Sequence, residues 1–140
     1  MSINLKENQL IAAELLSTGM SAKIVSDTLH KHPKLNAHYS NNEMKIWKNI
    51  NLGVAMAVSD GLIVPVIKNS NDKDFLAISK EIRLFSKKIK ENKILPDEIT
   101  GSSFTISNLS SYNIEYFNPI INPPEVAILG LGKVGKEVAF

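Results

Sequence analysis

Two hydrophobic periods run along these 140 residues, and the switches between them predict the elements. "QLIAAELL" (9–16) and "SAKIVSDTLH" (21–30) have helical spacing, with a break expected at Ser17-Thr18-Gly19. Pro33 predicts the end of the second helix, because the residue before a proline is driven out of the helical region. "INLGVAMAV" (50–58) and "LIVPVI" (62–67) are nearly continuous apolar runs joined by Ser59-Asp60-Gly61. They predict a β-hairpin with both strands largely buried. Pro65 has no N–H to donate, which predicts an edge or a bulge for its strand. The clearest helix lies at 74–92, where Phe75, Ile78, Ile82, Phe85 and Ile89 form one apolar stripe. Asp72 or Asp74 is suited to capping its start, and Asn92 to ending it in a left-handed turn. A turn at Leu95-Pro96-Asp97 is followed by strands predicted around 103–108 and at 126–131. Long apolar strands alternating with helices predict one α/β or α+β domain, a sheet covered by helices.

One strand carries an unusual mixture. "FTISNL" (104–109) sets Thr105, Ser107 and Asn108 among Phe104, Ile106 and Leu109. In a half-buried strand such polar positions face water. Ser107 is therefore either ordinary strand surface or a hydroxyl aimed at a reacting atom, and the pattern alone leaves both open.

Composition removes several function classes. A hydrophobic share of 44% and a charged share of 21% describe an ordinary soluble globular domain. The formal charge of +2 is too small a bias to imply nucleic acid or a membrane surface as partner. With no cysteine there is no disulfide, thiolate metal site or cysteine nucleophile. The start, "MSINLKENQL", lacks a signal-peptide core, and no apolar run is long enough to span a bilayer. The expected location is the cytoplasm or an organelle matrix. Lysines crowd the end of the 74–92 helix as its dipole prefers, and a solvated face is expected there rather than an anionic partner.

Three chemical patterns fail on inspection. "GLGKVGKE" (130–137) nearly forms a phosphate-binding loop, but Glu137 stands where a hydroxyl is needed and only three residues follow it. His30, His32 and His38 straddle Pro33 with no acidic partner beside them, so surface histidines are expected and no metal site. No G-x-S-x-G occurs and no histidine follows residue 38, which speaks against a hydrolase triad.

Four stretches nevertheless fall into one pattern: "HPKLNAHY" (32–39), "NINLGVAMAVSDGLIVPVIKN" (49–69), "GSSFTISNL" (101–109) and "PIINPPEVAILGLGKV" (119–134). In order and spacing they resemble the catalytic domain of the dihydrolipoamide acyltransferases, core components of 2-oxo acid dehydrogenase complexes. Chloramphenicol acetyltransferase shares that fold but not this combination of blocks. The resemblance covers about residues 20–134 and implies a chloramphenicol-acetyltransferase-like mixed sheet, incomplete here, in a single partial catalytic domain over 1–140. No lipoyl domain or subunit-binding domain is expected among these residues. It further implies acyl transfer between dihydrolipoamide and coenzyme A, in a homo- or hetero-trimer with the site between subunits. The implied partners are a lipoylated domain, which carries the lipoyl group, and the other dehydrogenase-complex components. In the family a histidine of a His-x-x-x-Asp-Gly motif deprotonates the coenzyme A thiol. A serine from the neighbouring subunit hydrogen-bonds the oxyanion. Ser107 matches that serine, and Asn108, Gly132 and Val134 are implied along the coenzyme A channel. None of the three histidines is followed by the required Asp-Gly. The motif is expected beyond Phe140, leaving the oxyanion donor without its base. The alternative is a catalytically incomplete structural subunit or fragment that supplies Ser107 to a complete neighbour.

Overall fold

The computed structural model describes residues 5–133, with side chains described from Ser17 onward. Helix α1 (Leu5–Lys31) is followed by the hairpin β1 (Ala37–Ser40) and β2 (Glu43–Ile46). Next come β3 (Leu52–Val58), β4 (Gly61–Ile63), β5 (Val66–Ile67) and helix α2 (Phe75–Lys90). The described chain closes with β6 (Phe104–Asn108) and β7 (Ile128–Leu131). The main sheet has five strands in the order β4-β3-β6-β7, with β5 continuing the edge beside β3. β3, β6 and β7 are parallel, whereas β4 and β5 run antiparallel to β3. This is the sheet covered by helices that the pattern predicts, with the mixed strand directions that the resemblance implies.

Pro65 explains why the second hairpin strand is divided. Leu52 faces Ile67 and Met56 faces Ile63 in one unbroken register, so no residue is inserted at the interruption. The Pro65 carbonyl still accepts from the Val54 N–H at 2.9 Å, and only the missing N–H breaks the ladder. The strand lies at the sheet edge, where a lost donor costs least.

Both helices pack on one face of the sheet. Leu52 and Val54 of β3 and Phe104 and Ile106 of β6 meet Ala22 and Leu29 of α1 and Ile78, Ile82 and Phe85 of α2. Asp74 caps α2 by accepting from the Ala77 N–H at 2.7 Å, and Asn92 ends it at φ 53°. Lys88 pairs with Glu98, whose second oxygen accepts from the Leu95 N–H at 2.9 Å. That pair ties the end of α2 to the turn that leads toward β6.

The expected break at Ser17-Thr18-Gly19 is absent, because α1 runs through it unbroken. A Cβ on Gly19 would stand 2.1 Å from Ser79 Oγ of α2. The glycine permits a close helix crossing, and packing outweighs the ~1 kcal/mol propensity cost of glycine in a helix. The β1–β2 hairpin escaped the sequence pattern for the opposite reason. Its residues are mostly exposed, so no apolar alternation marks it. Asn41 and Asn42 at φ 52° and 61° form the tight turn between the two strands.

Polar side chains hold the segments that hydrophobic contact does not reach. Asn36, buried, donates to the Trp47 and Asn49 carbonyls at 2.8 and 3.1 Å and accepts from Ser103 Oγ at 2.6 Å. Ser26 of α1 donates to Ser70 Oγ at 2.7 Å, and Ser70 passes the bond to the Ile50 carbonyl at 3.0 Å. Glu125 is 5% exposed and its Oε1 accepts from Ser102 Oγ at 2.5 Å and Thr105 Oγ1 at 2.9 Å.

Two stability effects follow. Asn36→Ala takes the donor from the Trp47 and Asn49 carbonyls and leaves the Ser103 hydroxyl only its longer bond to the Asn51 carbonyl, and should cost about 1–3 kcal/mol in urea unfolding. Lys88 first, and then the Leu95 N–H, hold the Glu98 carboxyl below its ordinary value of 4.5. A carboxyl lowered in the folded state stabilises fully above that ordinary value, and the contribution is lost as pH falls through the folded one. The stability gap between the native chain and Glu98→Gln should therefore be flat above pH 4.5 and close below it in urea titrations at stepped pH.

Candidate functional site

The carboxyl ends of β3 and β6 open into a cavity of about 280 Å³. In open α/β sheets, ligands bind outside the carboxyl ends of parallel strands. Ala55, Met56 and Ala57 supply one wall, Ser107 to Leu109 another, and Thr18 of α1 with Ile82 and Ser86 of α2 the roof. Leu62, Tyr112 and Lys90 stand at its exposed rim. The volume lies at the small end for ligand sites and suits an extended arm better than a bulky ring system.

Ser107 is half-buried near the end of β6. Its register partners are Ala55 on β3 and Gly130 on β7, the two smallest kinds of neighbour a strand residue can have. A Cβ on Gly130 would press on Phe117 Cζ at 3.0 Å and Pro119 Cδ at 3.1 Å, so this row stays small where the 117–119 segment crosses it. Two residues earlier on the same face, Thr105 is buried and spends its hydroxyl on Glu125. Ser107 Oγ has no hydrogen-bond partner among the described residues. One hydroxyl is consumed by the fold and the next is left available as a donor.

Asn108 lines the same cavity, with both ends of its amide engaged. Its Nδ2 donates to Thr18 Oγ1 at 2.9 Å and its Oδ1 accepts from the Ser110 N–H at 3.0 Å. It ties the end of β6 to α1 and to the turn beyond. Gly132 lies elsewhere, in a second hollow with Glu115 to Asn118 and Gly130. A Cβ there would stand 2.3 Å from the Glu115 carbonyl oxygen, so the close approach is to the chain's own backbone. Val134 lies outside the described residues.

The histidines sit away from this cavity, since none lines it. His30 and His32 are exposed as expected, but His38 is half-buried. Its Nε2 lies 2.7 Å from the Ser102 carbonyl, and a carbonyl only accepts, so Nε2 carries the proton. Trp47 packs edge-on against the ring at 5.1 Å, and Lys45 stands 4.0 Å above the indole. Among the described residues, no three His, Asp or Glu side chains gather closely enough to hold a metal ion, and no helix is long and apolar enough to cross a membrane.

Sequence reading missed Thr18, Ser86, Lys90 and Tyr112 as cavity residues. Only one signal was available: Ile82, Ser86 and Lys90 recur at intervals of four, a row that leaves the apolar stripe of α2 at Ile82.

Comparison with known proteins sets this geometry in a family. Residues 3–140 match the family of 2-oxoacid dehydrogenases acyltransferase (catalytic domain). A dihydrolipoyllysine-residue acetyltransferase component of the pyruvate dehydrogenase complex of Rickettsia conorii is 41% identical over 113 residues, 81% of this chain and 27% of that protein. This chain thus spans about a quarter of the length of that curated relative. The truncated catalytic core of the 2-oxoacid dehydrogenase multienzyme complex from Thermoplasma acidophilum superposes with a TM-score of 0.82 at 39% identity, over 86% of this chain and 57% of that one. The Azotobacter vinelandii dihydrolipoamide acetyltransferase superposes with a TM-score of 0.84 at 31% identity, over 88% of this chain and 51% of that one. In that enzyme a serine, a histidine and an asparagine have been investigated for their role in the catalytic mechanism. By sequence match and by shared fold, the chain belongs to the acyltransferase catalytic-domain family of the 2-oxoacid dehydrogenases.

Proposed function

We propose that this domain takes part in acyl transfer between dihydrolipoamide and coenzyme A, with Ser107 as the donor to the oxyanion. The Ser107 hydroxyl at the carboxyl end of β6, without a partner among the described residues, carries this reading. The coenzyme A thiolate attacks the thioester carbonyl of the acyl-dihydrolipoamide, and the carbonyl oxygen takes the negative charge. Ser107 Oγ–H donates to that oxygen. Collapse of the tetrahedral adduct expels the dihydrolipoamide sulfur, which takes up the proton withdrawn from coenzyme A.

A thiol with pKa near 8.5 is only a few per cent thiolate at neutral pH. A positioned base therefore contributes ~10²–10⁴ in rate. We assign that base to a histidine supplied from outside these 140 residues. His30, His32 and His38 do not reach the cavity, and His38 commits its proton to Ser102.

Assembly belongs to the same proposal. Tyr116 and Ile120 are 86% and 90% exposed on the segment that crosses β7, and such apolar surface suits contact with further subunits of a trimer. A lipoylated domain and the other dehydrogenase components complete the partners, in the cytoplasm or an organelle matrix.

The test is an acyl-transfer assay between acyl-coenzyme A and dihydrolipoamide. The chain is assayed alone, and mixed with a complete acyltransferase whose own oxyanion serine has been replaced. Ser107→Ala should lower kcat by ~10²–10³ in whichever preparation turns over, with little change in KM. Turnover indifferent to that substitution, or absent from both preparations, would overturn the proposal.

A further inference from the structure

The end of α2 carries Lys87, Lys88 and Lys90, with Lys93 just beyond it. Glu91 faces two of these lysines, Lys93 at 2.9 Å and Lys87 at 3.9 Å, while Glu98 holds Lys88. Lys90 has no acidic partner among the described residues. It also lines the Ser107 cavity, where no aspartate or glutamate stands among the described lining residues. Among the described residues, the cavity mouth thus carries one unbalanced positive charge.

The row on α2 gives this charge a position relative to the reacting end. Ile82, buried, forms the inner roof; Ser86 is half-buried; Lys90 is exposed. Each step of four residues advances about 6 Å along a helix, so the Lys90 backbone lies roughly 12 Å outward from Ile82. A ligand reaching Ser107 from the rim would be uncharged and slender inside and anionic at its outer end. Coenzyme A has that build, with a neutral pantetheine arm between its thiol and its phosphates. The lipoyl arm, an amide of lysine, carries no charge along its length.

Resting on the acyl-transfer reading, we propose that Lys90 is a specificity residue that receives the phosphate-bearing end of coenzyme A at the cavity mouth. Its ammonium attracts the phosphates through partly screened solvent, while the row leading in from Ser86 accepts the arm. Lys90 contributes to binding and leaves the chemistry at Ser107 untouched.

Equilibrium binding of coenzyme A and of pantetheine to the 140-residue chain tests this, since the two differ in the nucleotide end. Lys90→Ala should weaken coenzyme A binding about five- to tenfold and leave pantetheine unchanged. Lys90→Arg, which keeps the charge, should restore coenzyme A affinity. The difference between native and Lys90→Ala chains should shrink at 0.5 M salt, where the Debye length falls to roughly 4 Å. Equal coenzyme A affinity in native and Lys90→Ala chains would overturn the assignment while leaving the acyl-transfer reading in place. So would a loss confined to binding of a lipoylated domain. No coenzyme A binding by the native chain would overturn the assignment as well, while the acyl-transfer reading stands or falls on the turnover assay.

Discussion

The cavity depends on one register, that of β6 between β3 and β7. Side chains on a strand alternate between faces, so a slip of one residue would turn Ser107 toward the apolar core and set Ile106 on the face that Thr105 now shares with Glu125. Apolar burial of Phe104 and Ile106 fixes which face is which. The polar anchors at the start of the strand fix the position along it. The Ser103 N–H donates to the Asn51 carbonyl at 2.7 Å, and its hydroxyl meets Asn36. Thr105 then meets the buried Glu125. Two hydroxyls with the buried Phe104 between them hold the strand before it reaches the cavity, and Ser107 inherits its place without a side-chain bond among the described residues.

Most apolar elements were legible in sequence because burial shapes them, but β4, expected to be largely buried, leaves Gly61 and Leu62 exposed at the sheet edge. The α2 stripe, its Asp74 cap, its Asn92 terminus and the Pro65 edge strand all follow from local rules. α1 was misjudged at Gly19, where a long-range contact with Ser79 overrides a local breaker signal. The β1–β2 hairpin has too little buried surface to leave a period in the chain. The site was legible only at β6. Its other walls come from Thr18, from the 54–62 region, from α2 and from Tyr112, and no sequence spacing announces that these positions meet.

Buried polarity here is selective rather than abundant. Glu125 sits in the interior with no cation beside it among the described residues, held by hydroxyls from Ser102 and Thr105. Two carboxylates at the surface, Glu91 and Glu98, absorb three lysines. A chain of nearly balanced composition can therefore carry a local excess of charge at a single opening, something its total of +2 does not disclose.

The missing side chain at Gly19 also governs the height of the chamber. Thr18, its neighbour, forms part of the ceiling and grips Asn108 on the wall, while the α2 residues Ile82 and Ser86 complete the vault. Any bulk at position 19 would act as a jack between the two helices. It would lift the roof from the strand ends and turn a narrow slot into an open bowl.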